Sequence, residues 1–252
     1  MVHHKDWWDT IAKEVDIYRN DITKLSEGTI HLDNGTTIEA DAILLATGFS
    51  ETTIPYFTKE QCIELGLPHN ETDEDPKDTA YWKDLDSKAT KDVLAHFPPL
   101  RSPPPMPKDY GDVESTTPFR MYHTIVPISD PSRSIAFIGW PAVPNMFAGS
   151  EMEAMWATAY FDGHIKLPTQ EAMREQVAHN NAYMRLRCPT YGRPGNWYSF
   201  DYFPFMDKLA DEMGLSIRKK GWWRDFTEPL FMKDLGMVRE GYLRRYGRKA
   251  ES

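Results

Sequence analysis

Two short runs in this sequence have residue types and spacing suited to meeting a ligand. The first is Phe137-Ile138-Gly139, then the loop WPAVPNMFAG, then Ser150-Glu151-Met152. A strand, a loop and a capped helix in that order present a helix amino terminus, whose unpaired amides and dipole favour an anionic or electron-rich group. The second run is ADAILLATGF. It ends on Thr47-Gly48, where a small residue and a glycine let backbone come close to a ligand or another segment. Each run also has a purely structural reading. Ser150 and Glu153 fit a helix capping box, Glu151 favours the helix dipole, and Trp156 belongs to a core. Thr47-Gly48 fits an ordinary core strand ending in a turn.

The elements that must position these runs follow from periodicity. Asn34-Gly35 is a tight-turn signal between Ile30 to Leu32 and Thr36 to Ile38, which predicts a hairpin; Asp41 to Ala46 follows as a buried strand. Trp7, Trp8, Ile11 and Val15 lie at helical spacing, and Asp16 to Tyr18 reads as a strand. Residues 51 to 118 carry an acidic run, ETDEDPKD, and a proline run, PPLRSPPPMP, both read as surface excursions. His69 and His96 in that region are expected to be solvated, as are His3 and His4 near the terminus.

Phe119 to Val126 and Ser134 to Gly139 are predicted strands, the second of them buried. Ser150 is predicted to cap a helix running to Phe161, with Met152, Met155, Trp156, Ala159 and Tyr160 as its apolar stripe and Gly163 as its stop. Further helices are expected over Gln170 to Arg187 and Phe205 to Met213. Near the carboxy terminus, Lys219, Lys220, Trp222, Trp223 and Arg224 read as a solvated face that packs its tryptophans inward.

Composition excludes several classes of function. The net charge of −9 disfavours a nucleic-acid or anionic-membrane surface. No apolar run approaches membrane-spanning length. Cys62 and Cys188 match neither a metal spacing nor a disulfide framework, so a reducing, cytoplasmic compartment is expected.

Three ordered blocks resemble the flavin-containing monooxygenases and their Baeyer–Villiger relatives, the class B flavoprotein monooxygenases. A strand, an N-G turn, a second strand and ADAILLATGF resemble the exit from that family's NADP domain. MYHTIVPISDPSRSIAFIGW followed by SEMEAMWATAYFDG is similar to its carboxy-terminal FAD-domain segment. There a helix reads E-x-Q-A-x-W-A, matched here by Glu151, Ala154, Trp156 and Ala157, with Glu153 at the Gln position. DYFPFMDKLADEMGL resembles a third family segment. Departures are equally clear. Neither G-x-G-x-x-G fingerprint for FAD or NADPH is present, and Glu153 stands where an intervening F-x-G-x-x-x-H motif would place its His.

The resemblance implies an α/β chain with part of a two-dinucleotide-domain flavoprotein fold. Residues 1–50 would be the end of an NADP-binding domain and its linker. Residues 51–252 would be the carboxy-terminal part of an FAD domain with a helical tail. It implies FAD and NADP(H) as cofactors, and transfer of one oxygen from a flavin C4a-peroxide, formed from O2, to a small organic substrate. A natural product is one substrate of that kind. It implies Gly139, Ser150 and Glu151 as flavin-facing candidates and Thr47 and Gly48 as linker residues near both cofactors; no catalytic triad is called for. A separately encoded amino-terminal half is the expected partner. Alone, the chain is expected to bind FAD weakly or not at all, and to be poorly soluble or self-associating. The other class of reading is a non-enzymatic remnant or interaction module that keeps only the carboxy-terminal fold.

Overall fold

The computed structural model describes residues 7–44, 56–102, 116–217, 221–228 and 236–247. The runs holding Thr47, Gly48, Lys219 and Lys220, the second half of the proline run, and His3 and His4 lie outside them. The chain divides into two units, Met1–Thr53 and Ile54–Ser252, each mixed or helical in character.

In the first unit, α1 (Trp7–Glu14) precedes a three-stranded antiparallel sheet of β1 (Ile22–Ser26), β2 (Thr29–Leu32) and β3 (Thr37–Glu39), in sheet order β1-β2-β3. Asn34-Gly35 lies at the β2–β3 tip, as expected. Leu32 N–H donates to Thr36 O at 2.9 Å, and the Asn34 side chain accepts from the Thr36 N–H at 2.9 Å. Ile30 faces Ile38 across the pair. Two expectations fail. Asp16 to Tyr18 is not a strand, and the first strand is Ile22–Ser26 instead. The strand expected from Asp41 is absent over its described part, residues 41–44, where Leu44 is 93% exposed. An apolar run becomes a buried strand only where a neighbouring strand supplies hydrogen bonds and a face to pack on. Among the described residues the sheet of this unit ends at β3.

The second unit is mostly helical. Thr58 caps α2 (Lys59–Leu65) in a full capping box with Gln61. Gly66 then reverses the chain at φ +73, where a Cβ would stand 2.5 Å from Arg120 O. Asp75 caps α3 (Pro76–His96) by accepting from Lys77 N–H, with Pro76 in the first turn, where its missing N–H costs nothing. The acidic run is therefore largely a helix start, and residues 76–96 form a long helix that the reading as a surface excursion missed. Leu85, Ala89 and Val93 of α3 bury against Ala178 and Ala182 of α5 (Gln170–Arg187). The ion pair Arg185–Asp86 borders that seam at 2.8 Å.

His69 is buried, contrary to expectation. Its Nδ1 donates to Leu67 O at 2.7 Å, and its Nε2 meets Glu74 at 2.9 Å. Arg120 also pairs with Glu74, which joins the start of α3 to the loop before the next strand. His96 is exposed at the end of α3, as expected.

The predicted strand Phe119 to Val126 is broken into a tight antiparallel pair, β4 (Met121–Tyr122) and β5 (Val126–Pro127). His123 and Thr124, both at positive φ, make the reversal. Ser134 to Gly139 is extended but belongs to no strand; a single bond, Phe137 N–H to Ile125 O at 2.8 Å, ties it to the reversal, and Ile138 is 40% exposed.

The main core gathers α4 (Met146–Phe161), α5, α6 (Tyr202–Glu212) and the β4–β5 pair around Trp156, Tyr160, Met206 and Leu209. Burial of each such large side chain stabilises by about 1.5–3 kcal/mol relative to exposure. Two further helices follow, α7 (Trp222–Thr227) and α8 (Gly236–Tyr246). Trp223 of α7 is 60% exposed and so does not pack inward as expected. Among the described residues no helix is long and apolar enough to cross a membrane.

Replacing Gly66 by Ala places a Cβ in the left-handed region and against the Arg120 backbone, whose N–H donates to Gly66 O at 2.7 Å. The variant is expected to lose about 1–3 kcal/mol in urea denaturation followed by circular dichroism.

Candidate functional site

The loop from Gly139 to Asn145 and the first turns of α4 bring together two of the residues singled out in the sequence. A Cβ on Gly139 would lie 3.5 Å from Ser150 Oγ, so the glycine turn and this serine are neighbours. The capping role assigned to Ser150 is wrong. The helix starts four residues earlier, at Met146, and Asn145 is its cap, accepting from Ala148 N–H at 3.1 Å. Ser150 sits in the second turn, and the Ser150–Glu153 capping box does not form. Glu151 is on the surface, where its carboxylate lies 3.4 Å from Arg239. Gly139 and Ser150 thus share one place, and Glu151 faces solvent beside α8. Thr47 and Gly48 lie outside the described residues.

The loop is fixed from the far side. Ala142 N–H donates to Asn196 O at 2.7 Å, Tyr198 N–H to Ala142 O at 3.1 Å, and Asn196 Nδ2 to Trp140 O at 2.9 Å. Met146 and Phe147 stand at the helix start, and Phe147 is 91% exposed.

Glu153 is the residue that sequence reasoning placed wrongly. It is fully buried and accepts from Gly139 N–H at 2.7 Å through Oε2, while Oε1 has no partner among the described residues. Burial, only partly offset by the Gly139 N–H, pushes its carboxyl up to about 7. The signal was available: an acid inside the apolar stripe of α4, where the resembling family has Gln.

A second, partly buried carboxylate lies against the middle of the helix stripe. Glu212 Oε1 accepts from Tyr122 Oη at 2.8 Å and from His123 Nε2 at 2.9 Å; Oε2 accepts from Trp156 Nε1 at 2.9 Å. Burial opposes its charge, but the hydrogen bonds from His123, Tyr122 and Trp156 outweigh that and hold the carboxyl below its usual range. Burial pushes His123 below its ordinary value, so its neutral ring serves as the Nε2–H donor. Trp156 stacks on Tyr160, with ring planes 8° apart.

Comparison with known proteins finds relatives of one kind. The chain is similar to an FAD-dependent monooxygenase of Pyrenophora dematioidea, 32% identical over 225 residues, which cover 87% of this chain and 40% of that protein. It is also similar to an FAD-dependent monooxygenase of Aspergillus nomiae, at 31% identity over 87% of this chain and 38% of the relative. A third, from Fusarium langsethiae, is 29% identical over 98% of this chain and 43% of its own length. The chain is thus a homologue of flavin-dependent monooxygenases and spans about 40% of the length of these curated relatives. No family model matches, and no solved structure matches.

The described residues do not by themselves fit a whole FAD. A dinucleotide's pyrophosphate needs free amides on a glycine turn at a helix start. Here the Gly139 amide is taken by Glu153 and the Ala148 amide by Asn145.

The corrected cap gives a direct contrast. Asn145→Ala should cost about 1 kcal/mol through the lost cap, whereas Ser150→Ala should change thermal stability by less than about 0.5 kcal/mol. The Glu212 carboxylate gives a pH dependence. A folded-state value below the unfolded one means that Glu212 stabilises fully above the ordinary carboxylate range and loses that contribution as pH falls through its lowered value. Glu212→Gln is expected to cost about 1–3 kcal/mol at pH 7 and to flatten the acid limb of a stability–pH curve measured by urea titration.

Proposed function

We propose that the chain acts as the carboxy-terminal part of an FAD- and NADPH-dependent monooxygenase with a two-dinucleotide-domain fold. In this reading residues 1–50 close an NADP-binding domain and residues 51–252 return to an FAD domain. Gly139, Ser150 and the intervening loop stand near the flavin, Glu151 lies on the adjoining helix face, and Thr47 and Gly48 lie in the linker. NADPH would reduce the FAD, which with O2 supplies the oxygen delivered to a small organic substrate. The residues of this chain contribute placement and exclusion of water. A cytoplasmic setting fits the free thiols of Cys62 and Cys188.

The observation that carries the reading is the extent of the similarity. It runs over 87–98% of this chain but about 40% of each relative, and the sequence holds no G-x-G-x-x-G. A complete enzyme then requires the glycine turns from an amino-terminal half. The second reading, a non-enzymatic module, is favoured by the internal occupation of the Gly139 and Ala148 amides.

Purified alone, the chain is expected to show no flavin absorbance and no NADPH depletion. Mixed with the amino-terminal part of the Pyrenophora dematioidea relative, it is expected to retain FAD and oxidise NADPH. Stoichiometric FAD on the chain alone would overturn the half-enzyme reading. A stable mixed complex without flavin would favour the non-enzymatic one.

A further inference from the structure

The two carboxyls on the core, Glu153 buried and Glu212 partly so, differ in what they are given. Glu212 receives three donors. Glu153, with no exposed surface, receives one backbone N–H and keeps Oε1 unpartnered. The elements packed around Glu153 bring it no cation. Its own helix is apolar at the neighbouring positions Gly149, Trp156 and Ala157, and the loop Gly139 to Val143 carries no charged residue. The titratable groups near it are the phenols of Tyr198 and Tyr202, both buried. Tyr202 Oη is itself without a partner, and burial, reinforced by Glu153, pushes the Tyr202 phenol up to about 12. Asp201, between the two tyrosines, is turned to Arg187 at 2.7 Å.

On the other side of the contact, the Gly139 peptide hangs between two anchors. Upstream, Phe137 N–H donates to Ile125 O at 2.8 Å; downstream, Ala142 N–H donates to Asn196 O at 2.7 Å. Between them the Gly139 N–H has Glu153 as its partner. Gly139 is at φ +83, and the neighbouring Ile138 is 40% exposed, so water lies close to the turn.

We propose that Glu153 is a proton-controlled latch on the Gly139 peptide. Protonated, it holds the turn against α4; deprotonated, it lets the turn open to water. The neutral acid leaves one polar oxygen buried without a partner among the described residues, a smaller cost than burying a charge there. Once the proton passes to solvent, the same pocket must hold a full charge on a single amide donor. Hydration is then the lowest-cost relief, and it is reached through the Ile138–Gly139 peptide because both flanks are pinned. The midpoint is set near neutrality by the burial described above, so the latch works in the range where cells vary. Opening frees the Gly139 N–H for an electron-rich ligand, whatever that ligand is; the latch does not depend on the flavin reading.

The test is hydrogen exchange of the full chain, resolved to single residues by mass spectrometry, at pH 6 and pH 8.5 with exchange times scaled for the intrinsic rate. With a closed-state midpoint near 7 and an open-state carboxyl in its ordinary range, protection of Gly139 is expected to fall about tenfold between pH 6 and pH 8.5, levelling off above 7, while Phe137 keeps its protection. In Glu153→Gln, which retains an acceptor for Gly139 but cannot ionise, Gly139 protection is expected to be the same at both pH values. Carbon-13 titration of the wild-type Glu153 carboxyl supplies a reading that needs no variant, with an expected midpoint near 7. A midpoint in the ordinary carboxylate range would overturn the proposal. So would an equal fall at Gly139 in Glu153→Gln, or a parallel fall at Phe137.

Discussion

The second unit depends on one partly buried carboxylate. Glu212, the last residue of α6, accepts from Tyr122 and His123 of the β4–β5 reversal and from Trp156 in the middle of α4. An isolated charge at this depth would be strongly unfavourable, and three aligned donors offset that cost. The same contacts explain an otherwise odd piece of backbone. His123 and Thr124 both sit at positive φ, which ordinary residues avoid. Here the left-handed turn swings the His123 ring under Trp156, edge-on at 5.6 Å, and onto Glu212. Local strain is held by a network that needs it.

From that fixed point the core extends along α4. Trp156 and Tyr160 stack, Met206 and Leu209 of α6 close over them, and α5 brings α3 in through its alanine face. The amino-terminal end of α4 is built differently. Its loop is tied down at Trp140 and Ala142, but Met146 and Phe147 remain exposed and Glu153 is half satisfied.

Sequence alone determined the elements whose signals are local. The Asn34-Gly35 hairpin, the helix Gln170–Arg187, the inward stripe of α4 and the stop at Gly163 each follow from spacing or a turn residue within one element. The similarity to flavin-dependent monooxygenases was legible for the same reason, as it rests on short ordered motifs. The helix Pro76–His96 was legible too, in Asp75-Pro76 and the spacing of Trp82, Leu85, Ala89 and Val93, but the charge of the run obscured it. Tertiary structure alone decided the rest. Asn145 and Ser150 are both good caps, and only packing of α4 on the core selects the earlier start. Ile43 and Leu44 have the composition of a buried strand, yet a strand exists only with a neighbour to bond. His69, Glu153 and Glu212 look alike in a sequence, as polar residues expected in water. Their burial, and the number of donors each receives, comes from residues 5 to 90 positions away, which no local pattern records.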